Sequence, residues 1–182
     1  MALHYNQPRR NYAQRNAKRP GSNKTLNQFK MKKVLIALDN HSNYKLISSK
    51  GSELARALRA SIALLHVFPN TITTSPDAFS GLYPTLGSMD MEQELKLAEQ
   101  LDAESKNFLN QVKLEINDET AELYTAEGDV ANAILETAEN CKADIIVIGS
   151  HSRSGIDKIL MGNVAKQVLK DSRLPLFIIP VK

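Results

Sequence analysis

The run Ile145-Ile146-Val147-Ile148-Gly149 constrains this chain more than any other stretch. Four consecutive β-branched apolar residues form a strand most readily where both faces of a sheet are covered, the situation of a parallel sheet packed between helices. The run stops at a glycine, passes into the polar segment Ser150 to Gly155, and is followed from Gly162 by a helix-like pattern to Leu169. A strand, a polar loop and a glycine that opens an amphipathic helix are what a phosphate site at the carboxyl end of a parallel strand requires.

The rest of the chain repeats this alternation. Val34 to Leu38 is a continuous apolar run ending at Asp39. A helical segment follows in which Leu46, Leu54, Ala55 and Leu58 are expected to face inward, with Ser48, Ser49 and Gly51 weakening its first half. Ser61 to Val67 reads as a second strand. From Phe68 to Ser88 the pattern is lost among prolines and glycines, as in a lid or a disordered segment. A charged helix is predicted from about Met91 to Val112, burying Leu95, Ala98, Leu101 and Leu109. Glu122 to Ala126 is a short third strand, Asp129 an N-cap for a helix carrying Ile134, Leu135 and Ala138 inward, Asp144 to Ile148 strand four, and Leu176 to Ile179 strand five.

Five strands separated by helices point to a single doubly wound α/β domain: a parallel five-stranded sheet in the order 3-2-1-4-5 with helices on both faces. In such sheets ligands bind outside the carboxyl ends of the strands, where the winding reverses, here between strands one and four. Asp39 and Gly149 would then face one another across a crevice.

The net charge of +3 conceals two unlike parts. Residues 1–30 hold seven of the 23 Lys and Arg residues and none of the 20 acids, so residues 31–182 carry a formal −4. The folded part therefore has no basic excess to suggest a nucleic-acid-binding domain. The basic N-terminal extension is too polar to bury a core and is predicted to be disordered. It reads as a solvated leader, a contact for RNA or a membrane surface, or an organelle transit sequence, and it lacks the apolar stretch of a secretory signal. No run is long enough to span a bilayer. The one cysteine, Cys141, excludes an intramolecular disulfide and a multi-cysteine zinc cage, and reads as a bystander thiol.

Taken in order, several blocks resemble the universal stress protein family. They are Lys33 to Asp39, Leu64-Leu65-His66-Val67, Gly128-Asp129, Ala143 to His151, Arg153-Ser154-Gly155, Leu160 to Ala165 and Leu174 to Pro180. The resemblance covers residues 32–181. It implies a cytoplasmic, homodimeric stress-response module that binds an adenine nucleotide, ATP with or without Mg, and is not a dedicated enzyme. By resemblance, Asp39 would contact the adenine or ribose side and the backbone at Val67 the adenine edge. Gly149, Ser150, Ser152, Gly162, Asn163 and Val164 would line the phosphates. Dimerisation would run through the edge strand Leu176 to Val181, whose uncovered apolar edge would otherwise invite aggregation.

ATP-binding members of that family carry a glycine, two residues, a second glycine, nine residues, then glycine followed by serine or threonine. This chain keeps Gly149 and Gly162 but has Ser152 and Asn163 at the other two positions. The altered signature supports a second function, a dimeric interaction scaffold without tight ATP binding. A slow ATPase or a nucleotidyl-transfer enzyme is a third, although the chain shows no clear general base, metal-binding acid cluster or Walker-type lysine and serine loop. Arg153 and Lys158 read either as phosphate contacts or as solvated loop residues. Asp39 can equally cap its turn. His66 reads as a hydrogen-bonded core residue, and His151 as a loop residue within reach of a ligand.

Overall fold

The computed structural model describes residues 32–40, 43–68, 91–150 and 162–181. In chain order the elements are β1 (Lys33–Leu38), α1 (Tyr44–Leu58), β2 (Ser61–Phe68), α2 (Met91–Glu115), β3 (Glu122–Glu127), α3 (Val130–Asn140), β4 (Ile145–Gly149), α4 (Asn163–Asp171) and β5 (Leu176–Ile179). The strands form one all-parallel sheet in the order β3-β2-β1-β4-β5, as the alternation of apolar runs predicts.

Side chains of a strand alternate between faces, and the core divides accordingly. Val34, Ile36, Ile62, Leu64, Ile145 and Val147 pack with α1 and α2. Leu35, Ala63, Leu65, Ile146 and Ile148 pack with α3 and α4, against Ala131, Ile134, Ala138, Ala165 and Val168. Each large aliphatic side chain removed from water in this way contributes about 1.5–3 kcal/mol.

The helices correct two expectations. On α1 the fully buried residues are Ile47, Ser48, Gly51, Ser52 and Ala55; Leu54 and Leu58 pack against the core half-buried as expected, while Leu46 is 43% exposed. Gly51 does not weaken the helix to no purpose, because a β-carbon there would lie 2.7 Å from Ile36 Cδ1. The small residues let α1 approach β1 closely. On α2, which continues to Glu115, Leu95 is 60% exposed and Ala98 and Leu101 are half-buried; burial is concentrated at Ser105, Phe108, Leu109 and Val112.

Strand β4 runs one residue later than predicted, from Ile145 to Gly149, and Asp144 just before it ties two strands together. Its carboxylate accepts from the backbone N–H groups of Lys32 at 2.6 Å and Lys33 at 2.9 Å, fastening the start of β1 to the start of β4. Asp129 caps α3 as expected, accepting from the N–H of Asn132 at 2.9 Å.

Candidate functional site

The winding reverses at β1. Helices α1 and α2 cover one face of the sheet and α3 and α4 the other, so β1 and β4 diverge toward opposite crossovers. Their pairing ends early, at Ile36 with Val147. Beyond that pair β1 stays with β2 to Leu38 and His66, and β4 stays with β5 to Gly149 and Ile179. The two central strands therefore part at their carboxyl ends, the switch point at which sheets of this kind open to ligands.

Asp39 stands on one side of this opening, exposed and directly after buried Leu38. Val67 lies one residue past the last β1–β2 pair and is still paired with Ala126 of β3. Gly149 ends β4 on the other side. A β-carbon at Gly149 would sit 2.6 Å from Ile47 Cδ1, so the glycine also has a packing reason: the first turn of α1 occupies the space. Ser150 is buried, and its backbone N–H donates to the carbonyl of Ile179 at 2.9 Å. That donor is committed to β5, a limit on the part Ser150 can take in holding a phosphate.

Gly162 is the N-cap of α4, with no side chain to occupy the orphan backbone donors of the first turn. Its carbonyl accepts from the N–H of Lys166 at 3.0 Å, so the helix starts here. Asn163 and Val164 are exposed in that first turn. Of the expected site residues, Asp39, Val67, Gly149, Ser150, Gly162, Asn163 and Val164 are thus described, the first four at the carboxyl rim and the last three at the start of α4. Ser152, together with His151, Arg153, Lys158 and most of the segment 68–88, lies outside the described residues.

His66 sits at the same rim: it is hydrogen-bonded as expected, but it is half-buried and not the core residue the apolar strand suggested, because it lies at the carboxyl end of β2. Its Nδ1 lies 2.8 Å from Ser105 Oγ of α2, and its ring meets Phe108 edge-on with centroids 5.2 Å apart. Burial pushes its pKa below the ordinary histidine value, against an upward pull from the carboxylate of Asp39. Ser105 was not identifiable as a partner from sequence, although a small polar residue midway between Leu101 and Leu109 in an otherwise apolar stripe was the available signal.

A polar groove of about 250 Å³ lies between α1 and the end of α2, lined by Lys45, Ser48, Ser52, Arg56, Glu115 and Asn117 among others. Its buried serines already donate to backbone carbonyls, Ser48 to Lys45 and Ser52 to Ser49. Cys141 is buried and its thiol pKa is raised by that burial, as suits a bystander. Among the described residues no helix is long and apolar enough to cross a membrane, and no three His, Cys, Asp or Glu side chains are grouped to hold a metal ion.

A doubly wound α/β domain with an opening at its winding reversal belongs to the class that takes ligands at the carboxyl rim of a parallel sheet. The model of the universal stress protein family matches residues 30–180, and the chain belongs to that family. It is 32% identical to universal stress protein MJ0531 of Methanocaldococcus jannaschii, over 81% of each chain. It is 30% identical to universal stress protein MJ0577 of the same organism, covering 83% of this chain and 96% of the relative. The solved structure of MJ0577 superposes with a TM-score of 0.62 at 24% identity over 84% of this chain and 98% of that one. A universal stress protein solved in complex with cAMP superposes with a TM-score of 0.52 at 19% identity over 83% and 98%.

Proposed function

We propose that the domain binds an adenine nucleotide, ATP, at the rim between β1 and β4, and serves as a stress-response module whose occupancy alters a surface read by a partner. The observation that carries this reading is the early parting of β1 and β4. An anion entering that opening would be met by the donors at the start of α4, whose dipole favours negative charge. The complex of a related fold with cAMP is consistent with an adenine nucleotide as the occupant.

In this reading Asp39 accepts from the ribose or base, the backbone at Val67 meets the adenine edge, and Gly149, Ser150, Ser152, Gly162, Asn163 and Val164 surround the phosphates. Mg would enter with the nucleotide, carried on its phosphates. A homodimer would form through Leu176 to Val181, since among the described residues β5 is paired only with β4 and Phe177 on it is 38% exposed.

The test is calorimetric titration with Mg-ATP, with AMP and GTP as controls, on the full chain and on a version starting at Met31. Saturable ATP binding by both supports a site in the folded domain. Binding by neither supports the alternative, a dimeric scaffold for protein partners, which the departures at Ser152 and Asn163 favour. We propose no catalytic turnover; phosphate release that follows the protein through purification and vanishes in Gly162→Val would overturn that view.

A further inference from the structure

The contacts of Ser105 fix a proton. Its Oγ lies 2.7 Å from the carbonyl oxygen of Leu101 and 2.8 Å from Nδ1 of His66. Two oxygens approach to 2.7 Å only with a hydrogen between them, and a carbonyl has none to give, so the single hydroxyl hydrogen of Ser105 goes to Leu101. This is the familiar backbond of a helical serine to the residue one turn earlier. Ser105 Oγ is then an acceptor toward the ring, and the hydrogen of the second contact belongs to His66 Nδ1.

From this geometry we infer that Ser105 is a positioning residue that holds neutral His66 as its Nδ1–H tautomer, leaving Nε2 as a lone-pair acceptor for an N–H or O–H donor of a ligand at the rim. Among the described residues, the hydrogen bond of the ring is the one that Nδ1 makes with Ser105. The ring belongs at the rim because His66 forms the last pair of β2 with β1, opposite Leu38, and Asp39 follows immediately. Phe108 packs edge-on against the imidazole, so its orientation as well as its proton is set from α2. The acceptors Asp39 and Nε2 together make the β1–β2 side of the opening suited to the donor-bearing part of a ligand, its amine or hydroxyl groups, while anionic groups are met from α4.

The ligand half of this inference rests on the nucleotide binding proposed above, and the tautomer half does not. Nitrogen-15 NMR of the imidazoles in the full chain, with His66 assigned from the spectrum of His66→Gln, reads the tautomer directly. The expected pattern is a protonated Nδ1 and a bare Nε2, which Ser105→Thr keeps and Ser105→Ala loses. Saturation with Mg-ATP is expected to move the Nε2 resonance, and Ser105→Ala to weaken ATP binding about tenfold, the size of one hydrogen bond, with Ser105→Thr restoring it.

A hydrogen on Nε2 in the unmodified protein, or a tautomer unchanged in folded Ser105→Ala, overturns the role of Ser105. ATP binding that leaves Nε2 unmoved overturns the ligand contact alone. Absence of any ATP binding removes the nucleotide and the contact together, while the spectrum still decides what Ser105 does.

Discussion

The last residue of β4 and the first turn of α1 share one space: a β-carbon on Gly149 would fall 2.6 Å from Ile47 Cδ1. Gly149 does not adopt a positive φ, so steric room and not backbone freedom makes glycine necessary here. Gly149→Ala is expected to destabilise the fold by about 1–3 kcal/mol through overpacking. Ile47→Ala alone is expected to cost about 2–5 kcal/mol, leaving a space that the new methyl can enter. The double variant should therefore be more stable than the two single effects added together, as measured by a double-mutant cycle in urea. Strict additivity would show that Ile47 is not what demands the glycine.

At the turn after β3, the carboxylate of Asp129 accepts from the N–H of Asn132 at 2.9 Å and begins α3. Asp129→Ala should cost about 1 kcal/mol, and Asp129→Asn should recover most of it, because the amide oxygen can accept the same bond. Thermal unfolding of the three proteins checks this. Equal losses in the two variants would shift the explanation from the hydrogen bond to the charge.

The strands were legible because each central strand is a continuous apolar run, and a sheet buried on both faces demands nothing subtler. The faces of the helices were less so. The inward stripe of α1 contains Ser48, Gly51 and Ser52, residues that periodicity counts as polar or breaking; the serines are buried with their hydroxyls bonded to the helix's own carbonyls, and Gly51 gives the close approach to Ile36. Asp39 and Gly162 could be singled out because a strand end and a helix start are local features. The contact of His66 with Ser105 joins residues 39 apart in sequence, and its existence depends on how α2 lies over β2. Nothing in a linear pattern reports that the N–H of Ser150 is held by Ile179.

Histidine 66 makes stability depend on pH in a defined direction. Burial depresses its pKa in the folded protein, so between the ordinary value of 6.5 and the folded value the unfolded chain binds more protons. Stability is then complete above pH 6.5 and falls as the pH drops through that window. The expected outcome is a Tm that declines on acidification below pH 6.5, with a shallower decline in His66→Gln. Glu122 and Asp102, whose carboxylates are held below their ordinary pKa chiefly by hydrogen bonds from Lys33 and Lys106, also lose stabilisation as the pH falls from the ordinary carboxylate value, so the difference between the two proteins is what isolates His66. An unchanged slope in His66→Gln would assign the effect to another group.

The outer edge of β5 bears on assembly. Phe177 is 38% exposed on a strand that, among the described residues, is paired on one side only, and an apolar unpaired edge favours burial against a second copy. Phe177→Lys should shift sedimentation at micromolar concentration from dimer toward monomer without lowering Tm by more than the lost interface explains. A protein that sediments as a monomer before substitution, or a dimer indifferent to Phe177→Lys, would exclude this edge as the interface.

The two departures from the ATP-binding signature can be separated by restoring them one at a time. Asn163 opens α4 immediately after its N-cap, exposed, with a side chain longer than the serine it replaces, whereas Ser152 stands where the signature has a second glycine. A hydroxyl at position 163 would put a compact donor beside the helix N-terminus, and, on the proposed reading of residue 152 as a phosphate neighbour, glycine there would remove a side chain that hinders close backbone approach. If these residues limit affinity, Ser152→Gly with Asn163→Ser should tighten Mg-ATP binding about tenfold or more in calorimetry, equivalent to about 1.4 kcal/mol. A gain confined to Ser152→Gly would place the obstacle at backbone approach, and a gain confined to Asn163→Ser at the helix terminus. Equal affinity in the original and restored proteins would mean that neither residue limits binding.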